Sequence, residues 1–421
     1  MPQTTPTQPR RAALAGVRVL DLTRVLAGPT CAQTLADLGA DVIKIERPGV
    51  GDDTRPWGPP WLPDEHGAPT RDSTYFSSAN RNKRSIAIDL ANDAGAALVR
   101  RLASAADVLI ENYKVGGMKK FALDYASIRA VNPCIVYCSI TGFGQDGPYA
   151  ERPGYDYLFQ GLGGLMSVTG ERDDRPGGGP QKVGIPIVDL FTGMYATVSI
   201  LAALHYRDAG GDGQHIDISL FDTVLAMSSG TLSNYFCSGK VPGRRGNASA
   251  NITPYDVFPC ADGQMVVASA NEPQFASLAR VIGRPDLAGD PRFFDNAARM
   301  ANHAELFALL SEVFRTRRRA QWEEIFYRAG VPCGPINDYQ QALAHPQAAH
   351  HRTKIELEHP YGVRAPGVAN PMRFSETPME YRSAPPLLGQ HTREVLSELL
   401  GLGESEITRL EAEKVIGSGG G

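Results

Sequence analysis

The sequence predicts a protein of the α/β class, with a doubly wound, mostly parallel sheet in a large domain and a smaller α+β domain. Three observations predict it. Short β-branched runs alternate with amphipathic stretches through the first half of the chain. A strand–helix–strand unit opens the chain within about thirty residues. After residue 226 the alternation gives way to a hairpin pattern, several helices and proline-rich segments.

The opening unit has apolar strands at residues 17–22 and 41–46, joined by a helix that ends near Gly39. Such a unit is parallel and right-handed. Glu46, at the end of the second strand, would suit a ribose, but the first turn lacks the Gly-x-Gly-x-x-Gly that brings a backbone against a pyrophosphate. No Walker-type loop occurs in the sequence either. The sequence therefore argues against NAD or ATP binding.

The alternation then continues and predicts a Rossmann-like domain. Strands are expected at residues 85–90, 107–111, 134–140, 183–188 and 215–220. Helices are expected at residues 94–105, 117–130, 155–166, from 190 and from 221. Glycines punctuate the long loop 141–148.

The second half predicts a smaller domain and a long return. Ala261-Asp262-Gly263 is a hairpin signal between two apolar runs, and three helices follow. The chain is then expected to be loop-like until a helix at residues 393–401. The predicted limits are a disordered lead at 1–13, the large domain at 14–225, the small domain at 226–330, a linker and C-terminal part returning to the large domain at 331–416, and a flexible tail at 417–421.

Composition argues for a small-molecule protein. The 42 basic and 46 acidic residues are well mixed and give a net charge of −4, so no footprint for nucleic acid or an anionic membrane is expected. No apolar run is expected to reach the ~18 residues that span a bilayer. The six cysteines form no Cys-x-x-Cys, and the nine histidines form no metal-ligand spacing with them. Reduced thiols, a cytoplasmic location and no metal site are expected.

Asp189 stands at a predicted junction between the strand at 183–188 and a helix. Open α/β sheets place their ligand sites at such strand ends, whereas aspartate is also a favoured helix N-cap. The local pattern leaves both roles open. Because no Ser-His-Asp, Cys-His or metal constellation occurs, carboxylates are the candidate nucleophiles, with Asp189, Asp156 and Glu46 best placed.

Several basic side chains lie near strand ends and could gather at one rim to hold a polyanionic phosphate group. Taken one at a time, each is better explained as part of a solvated surface. They are Arg24, Arg47, Arg81, Lys83, Arg84 and Lys120.

Several stretches resemble the family III (CaiB/BaiF) CoA-transferases. They are Leu20-Asp21-Leu22-Thr23-Arg24-Val25-Leu26-Ala27-Gly28-Pro29, Asp41-Val42-Ile43-Lys44-Ile45-Glu46-Arg47-Pro48, Asn80-Arg81-Asn82-Lys83-Arg84-Ser85, Glu111-Asn112-Tyr113, Thr141-Gly142-Phe143-Gly144-Gln145-Asp146-Gly147-Pro148 and Pro385-Pro386-Leu387-Leu388-Gly389-Gln390-His391-Thr392. The resemblance runs from about residue 14 to 416 with the motifs in order, and is closest to the succinyl-CoA:dicarboxylate branch.

The resemblance implies a catalytic role for Asp189, whose carboxylate would attack an acyl-CoA thioester and carry CoA as an aspartyl thioester between mixed anhydrides. CoA enters as a thioester substrate, and no permanently bound cofactor is expected. Asp156 matches an acidic position near the nucleophile. The formyl-CoA branch has a glutamine where this chain has Leu26. The implied CoA-binding residues are Leu26, Ala27, Arg47, Ile88, Asn112, Tyr113 and Lys120.

The glycine-containing loop Gly243-Arg244-Arg245-Gly246-Asn247 is expected to act as a lid, with Arg244 or Arg245 gripping the distal carboxylate of a diacid. The expected partners are acyl-CoA and a carboxylic acid, with no nucleic acid and no membrane. The family resemblance also implies an interlocked homodimer, which would suit the long proline-rich segment after Val331.

Two alternatives stay open. The α-methylacyl-CoA racemases share the family's fold, but they need a histidine where this chain has Tyr155, and a phenol with an ordinary pKa near 10 is a poor base at neutral pH. The second alternative is a CoA-binding relative without catalysis, which the retention of Asp189 disfavours.

Overall fold

The computed structural model describes residues 12–419, which divide into two compact units. The first unit comprises residues 12–164, 183–233 and 347–419, and the second comprises Leu165–Lys182 and Asn234–Pro346. The second unit therefore ends its main segment at 346 and begins it at 234, where the sequence predicts 330 and 226. Residues 165–182, predicted to belong to the large domain, also group with the second unit. The predicted lead at 1–13 lies almost entirely outside the described residues.

The strands are β1 (Arg18–Asp21), β2 (Asp41–Glu46), β3 (Trp61–Pro63), β4 (Pro69–Ser73), β5 (Lys83–Ile88), β6 (Val108–Glu111), β7 (Val136–Thr141), β8 (His215–Ser219), β9 (Tyr255–Cys260), β10 (Gly263–Ala268), β11 (Cys333–Pro335), β12 (Lys354–Glu358), β13 (Arg364–Val368) and β14 (Ile416–Gly417). The helices are α1 (Ala27–Asp37), α2 (Thr74–Ser77), α3 (Asp93–Ala103), α4 (Tyr125–Val131), α5 (Asp156–Leu162), α6 (Leu165–Val168), α7 (Ile187–Asp208), α8 (Leu220–Met227), α9 (Ser229–Ser238), α10 (Glu272–Val281), α11 (Asn296–Ala301), α12 (His303–Phe314), α13 (Arg319–Arg328), α14 (Tyr339–Ala344), α15 (Pro346–His350), α16 (Thr392–Leu400) and α17 (Glu404–Ala412). Two short 3₁₀ helices lie at Lys119–Phe121 and Pro285–Gly289.

The large sheet of the first unit has seven strands in the order β14-β5-β2-β1-β6-β7-β8. All neighbours pair in parallel except β14, which runs antiparallel to β5 at one edge. Without β14, this is the strand order 3-2-1-4-5-6 of a doubly wound sheet. The predicted α/β class is therefore confirmed. The order reverses at β1, and such sheets bind ligands in the crevice at the carboxyl ends of the strands on either side of that point.

The central strands β1, β2 and β6 are buried at nearly every position, as expected for parallel strands covered on both faces, whereas the edge strand β8 is partly exposed. Leu20, Ile43, Ile86 and Leu109 are inaccessible and share one core with side chains of α16, α17 and β14. The end of the chain therefore completes the core of the first unit. Gly417, predicted to begin a flexible tail, is instead paired with Ala87 in this sheet.

Helix α7 packs against α1 at very short range, since a Cβ on Gly193 would lie 2.6 Å from the carbonyl oxygen of Ala27. The prediction that no apolar run approaches the length of a membrane span was wrong for this helix. By length and composition α7 could cross a membrane, although half of the apolar stretch is buried inside the protein. Burial in a core selects the same apolar residues as a lipid environment does.

The second unit contains the predicted hairpin, with β9 and β10 antiparallel around Ala261 and Asp262, and β11 beside β10. Aromatic side chains of α10, α12 and α13 pack against its apolar face. The stretch after residue 346, predicted to be loop-like, forms the antiparallel pair β12–β13 in the first unit, and helix α17 follows the predicted C-terminal helix. The alternation of Ile355 and Leu357 with glutamates suits a half-buried strand.

Candidate active site

Two cavities lie at the carboxyl edge of the large sheet, around the point where its strand order reverses. The first, of about 230 Å³, is lined by residues that follow β1, β6 and β7, by the segment 150–155 and by Asp189. The second, of about 410 Å³, is lined by residues at the ends of β1, β2 and β5. Arg24, Asp53 and Tyr113 line both, so the two cavities adjoin.

A third cavity, of about 470 Å³, shares Leu90, Ala91 and Phe121 with the second, so the three form one continuous series along the first unit. The seven predicted CoA contacts all line this series: Leu26, Ala27, Asn112 and Tyr113 the first cavity, Arg47, Ile88 and again Tyr113 the second, and Lys120 the third.

Asp189 lies in the first turn of α7, where its side chain lines the first cavity while remaining 9% exposed. The predicted strand at 183–188 was wrong, because α7 begins at Ile187 and the residues before it are irregular. Pro186 is the N-cap residue, so Asp189 does not cap the helix, and Pro186 has no N–H to donate to a sheet. The prediction that Asp189 lies at the start of a helix is confirmed, but the residues before that helix do not form the predicted strand.

Asp156, from α5, provides the side-chain cap that Pro186 does not provide for α7. Its carboxylate accepts hydrogen bonds from the backbone N–H groups of Val188 (2.7 Å) and Asp189 (3.1 Å), which have no partner within the helix. The side-chain amide of Gln160 donates to the other carboxylate oxygen at 2.6 Å. Gln160 also accepts from the N–H of Val183 at 2.8 Å. Asp156 therefore fixes the start of α7, and with it the backbone of Asp189.

Burial, together with the nearby charge of Asp156, raises the pKa of Asp189 to about 7. Burial, and after it the charges of the same two carboxylates, raise the pKa of Tyr75 to about 12, so its phenol lies within electrostatic range of them. Perturbed titration of this kind, in a cleft, is typical of functional sites. Sequence reasoning missed Tyr75, which lies in a four-residue helix with no motif around it.

The turn between β1 and α1 is held in an unusual conformation. Val25, a β-branched residue, has φ of +73°, which is costly without support. Asn112 provides support on one side, because its side-chain amide donates to the carbonyl oxygen of Arg24 at 2.7 Å and accepts from the N–H of Arg24 at 3.0 Å. Asp52 accepts from the N–H of Val25 at 3.2 Å. The polar atoms of Asn112, predicted to contact CoA, are therefore already engaged within the protein.

Ion pairs within the first unit use half of the predicted basic rim. Lys83 donates to Asp21 at 2.9 Å, and Arg81 pairs with Asp37 at 2.6 Å. Arg84 pairs with Asp41 at 2.6 Å. These three side chains were predicted to help hold a phosphate, and instead they hold the fold together. Of the predicted rim, Arg24, Arg47 and Lys120 line the cavities.

Glu46 is not available as a nucleophile. Both of its oxygens accept from the guanidinium of Arg55, at 2.6 and 2.8 Å, and Ser85 donates to it at 2.6 Å. Despite burial, the charge of Arg55 lowers the pKa of Glu46. A carboxylate held this firmly by a guanidinium is a structural anion.

The loop predicted as a lid lies in the second unit, where its side chains have partners of their own. Arg244 forms an ion pair with Asp173 and donates to the carbonyl oxygen of Ser167 at 3.2 Å. Arg245 donates to the carbonyl oxygen of Ser249 at 3.3 Å. Gly246 has φ of +63°, a conformation that suits glycine, and Gly243 is an exposed loop position. The role of this loop in binding a diacid stays a prediction.

The histidines show no metal-binding arrangement within residues 12–419, and no group of three or more candidate ligands there could hold a metal ion. His215 forms a hydrogen bond with Ser139 at 2.9 Å and stacks on Tyr125, which suits a structural role. Tyr155, the position where a racemase needs histidine, is exposed and lines the first cavity beside Asp189.

A doubly wound α/β unit with a buried carboxylate that lines a long series of cavities at its strand ends is an arrangement suited to binding an extended ligand. The model of CoA-transferase family III matches residues 14–392, and this chain belongs to that family. The resemblance stated from the motifs is thereby confirmed, and the protein is a CoA-transferase.

Relatives of known name support this placement. The chain is 46% identical over 391 residues to a succinate–glutarate CoA-transferase of Agrobacterium fabrum, covering 93% of this chain and 96% of that protein. It is 40% identical over 405 residues to the human succinyl-CoA:glutarate CoA-transferase, covering 96% and 90%. A crystal structure of a CaiB/BaiF family protein from Brucella suis matches with a TM-score of 0.80 and 45% identity, covering 93% of this chain and all of that one.

Proposed function

We propose that this protein transfers CoA from succinyl-CoA to a second dicarboxylate, with Asp189 as the group that carries CoA between them. The observation that carries the proposal is the carboxylate of Asp189, at the start of α7 and lining the first cavity. The names of the relatives support the donor and the dicarboxylate class of acceptor. Glutarate is the first acceptor to test.

The chemistry proceeds by exchange of carboxylates. A carboxylate oxygen of Asp189 attacks the thioester carbonyl and expels the CoA thiolate, which leaves a mixed anhydride of Asp189 and succinate. The thiolate then attacks the aspartyl carbonyl, releases succinate and leaves an aspartyl-CoA thioester. The acceptor carboxylate attacks that thioester, and the thiolate returns to the acceptor's carbonyl, which regenerates the carboxylate of Asp189. Overall one CoA thioester of a carboxylic acid replaces another of similar energy, so no nucleotide is consumed.

The buried position of Asp189 suits this route. An anhydride exposed to water would be hydrolysed, and a site that excludes water protects it. The phenol of Tyr75, whose pKa is affected by the charge of Asp189, is a candidate to donate a hydrogen bond to the oxyanion that forms during attack. The second and third cavities, with Arg47 and Lys120, would accommodate the phosphate-bearing part of CoA.

A homodimer belongs to the same proposal. Helices α5 and α7 expose large apolar side chains in the first unit, and monomers rarely leave such a surface uncovered. They include Tyr157 (60% exposed), Leu162 (53%), Phe191 (43%), Tyr195 (43%) and Val198 (60%). A second copy of the chain is the occupant that the family resemblance implies. The expected cytoplasmic location stays a prediction.

The decisive experiment incubates the purified protein with succinyl-CoA and glutarate, without ATP or metal, and follows glutaryl-CoA by mass spectrometry. Asp189→Asn should lose transfer by at least a factor of about 10³, since the amide is a far weaker nucleophile. Asp208→Asn, on the exposed end of the same helix, is the matched control and should behave as wild type. Hydroxylamine trapping after succinyl-CoA alone should label Asp189 in the wild type.

Retained transfer in Asp189→Asn would contradict the assignment of the nucleophile. Exchange of the α-proton of a 2-methylacyl-CoA, without any effect of added free acids, would instead assign the protein to the racemases. Binding of succinyl-CoA without either reaction would identify a non-catalytic relative.

A further inference from the structure

The cationic side chains around the first cavity differ in whether a carboxylate already neutralises them. Arg24 pairs with Asp53 at 3.0 Å. Arg152 and Lys114 also line the cavity, and within residues 12–419 neither has a carboxylate at ion-pair distance. A dicarboxylate that presents one carboxyl group to Asp189 leaves its second charge in this cavity, where Glu151 would repel it. A desolvated charge in that position needs a cation.

Arg152 is the better placed of the two because its orientation is already fixed. Its guanidinium carbon lies 3.7 Å from the centre of the Tyr149 ring, and its backbone N–H donates to the carbonyl oxygen of Tyr149 at 2.9 Å. Stacking occupies the face of the guanidinium and leaves its N–H groups, which point outward from the edge, free to donate. Two parallel N–H donors match the two oxygens of a carboxylate.

A series of packed aromatic rings connects Arg152 to the buried interior of the first unit. Tyr149 packs edge-on against Phe143 with ring centres 5.6 Å apart, and Phe143 packs against Phe159 at 5.0 Å. Phe159 is completely buried in α5, the helix that also carries Asp156. Helix α5 therefore carries Asp156, which caps α7. Through Phe159 it also packs against the series of rings that ends at Tyr149, on which Arg152 stacks. A binding group held in advance loses less entropy when its ligand arrives.

We propose that Arg152 binds the distal carboxylate of the dicarboxylate acceptor and so determines the preference for diacids over monoacids. The inference rests on the proposed function and names the residue that recognises its substrate class. It also differs from the prediction for Arg244, whose guanidinium is paired with Asp173 in the second unit. Lys114 is the competing candidate, and by comparison it has no ring or carboxylate partner among the described residues.

The test compares glutarate with pentanoate, which has the same chain length and lacks the second carboxylate. At saturating succinyl-CoA, kcat/KM for the acceptor reports only the second half of the reaction, so damage to the donor half does not enter. Arg152→Gln should lower kcat/KM for glutarate roughly ten- to a hundredfold, the loss expected for charge-assisted hydrogen bonds. Its kcat/KM for pentanoate should stay within about a factor of two, so the glutarate-to-pentanoate ratio falls.

Arg129→Gln is the matched control, because Arg129 is also an exposed arginine near a tyrosine ring, at 5.9 Å from Tyr125, and outside these cavities. Arg152→Lys keeps the charge without the planar pair of donors and should give an intermediate ratio. If Arg152→Gln has a lowered melting temperature, Arg152→Lys provides the comparison in a folded protein.

An unchanged ratio in Arg152→Gln, or an equal loss for both acids, would overturn the proposal. A selective loss of glutarate in Lys114→Gln but not in Arg152→Gln would also overturn it. Wild-type protein that transfers CoA from succinyl-CoA to no dicarboxylate, glutarate included, would instead overturn the proposed function, and with it this assignment.

Discussion

At the scale of single residues, Asp189 must be an anion to attack a thioester, yet its surroundings favour the neutral acid. Burial and the charge of Asp156 raise its pKa to about 7, so both forms are populated at neutral pH. A raised pKa also makes the carboxylate a stronger nucleophile once it ionises. The raised pKa therefore lowers the fraction of enzyme that is ionised at neutral pH and increases the nucleophilicity of the carboxylate in that fraction.

This balance predicts a pH dependence. The value of kcat/KM for succinyl-CoA should fall about tenfold per pH unit below pH 7, because only the ionised form of Asp189 attacks. In Asp156→Asn the side-chain oxygen can still accept the N–H bonds of α7, while the charge is gone. The midpoint should therefore move to lower pH. A profile whose midpoint is the same in both proteins would show that Asp156 does not influence Asp189.

The stability of the folded protein should also depend on the protonation of Asp189, but stability is favoured by the neutral form, whereas attack needs the anion. The folded-state pKa of Asp189 is raised above its ordinary value of 3.8, so the native protein binds a proton more tightly, and the contribution of this group to stability is lost as pH rises towards 7. Asp189→Asn should therefore be more stable than wild type at pH 8, by roughly 1 to 3 kcal/mol, and about equal to it near pH 4. Chemical denaturation at the two pH values measures both differences.

Some of these residue roles could be predicted from the sequence, and others could not. Asp189 and the cavity residues Arg47 and Tyr113 belong to local motifs that can be recognised one stretch at a time. The bonds from Asn112 to Arg24 join positions 88 apart, and nothing near either residue indicates the partner. Such pairs depend on which strands become neighbours in the sheet, and that order is a property of the whole fold.

At the scale of elements, α7 depends on contacts at its first two turns. Asp156 caps it from α5, and Gly193 lets it approach α1 closely. The stretch before the helix was misread as a strand because Val183, Ile185 and Ile187 belong to a short apolar, β-branched run. Two features oppose a strand there: Pro186, and the cap that Asp156 provides for α7. Asp156 lies about thirty residues away in sequence.

Gly193→Ala should separate α7 from α1. Its Cβ would lie 2.6 Å from a backbone oxygen of Ala27, which cannot move aside cheaply, so we expect a loss of roughly 1 to 3 kcal/mol in unfolding free energy. Transfer activity should fall as well, since Asp189 lies one turn away. Gly230→Ala in α9 is the matched control, because nothing lies within 4 Å of its Cβ, and it should stabilise the protein by up to about 1 kcal/mol. Equal stability of the two variants would contradict the close-packing argument.

At the scale of the whole molecule, the exposed apolar surface of α5 and α7 sets an expectation about assembly. Val198→Glu places a charge on that surface, on a side chain that is 60% exposed in the single chain. If a second copy covers it, the variant should shift from dimer towards monomer or aggregate, as measured by light scattering after size-exclusion chromatography. Val131→Glu, on an exposed residue of α4, is the control (50% exposed). A wild-type monomer would contradict the proposed homodimer.

The pairing of β14 with β5 also determines when the protein can finish folding during synthesis. Ile416 and Ile88 are about 330 residues apart, and the whole second unit is translated between them. At roughly 5 to 20 residues per second, tens of seconds pass before the edge of β5 receives its neighbour. An uncovered strand edge invites pairing with other chains, so β5 is open to misassociation over that interval. Slow or truncated synthesis should therefore yield aggregates rather than a smaller active enzyme.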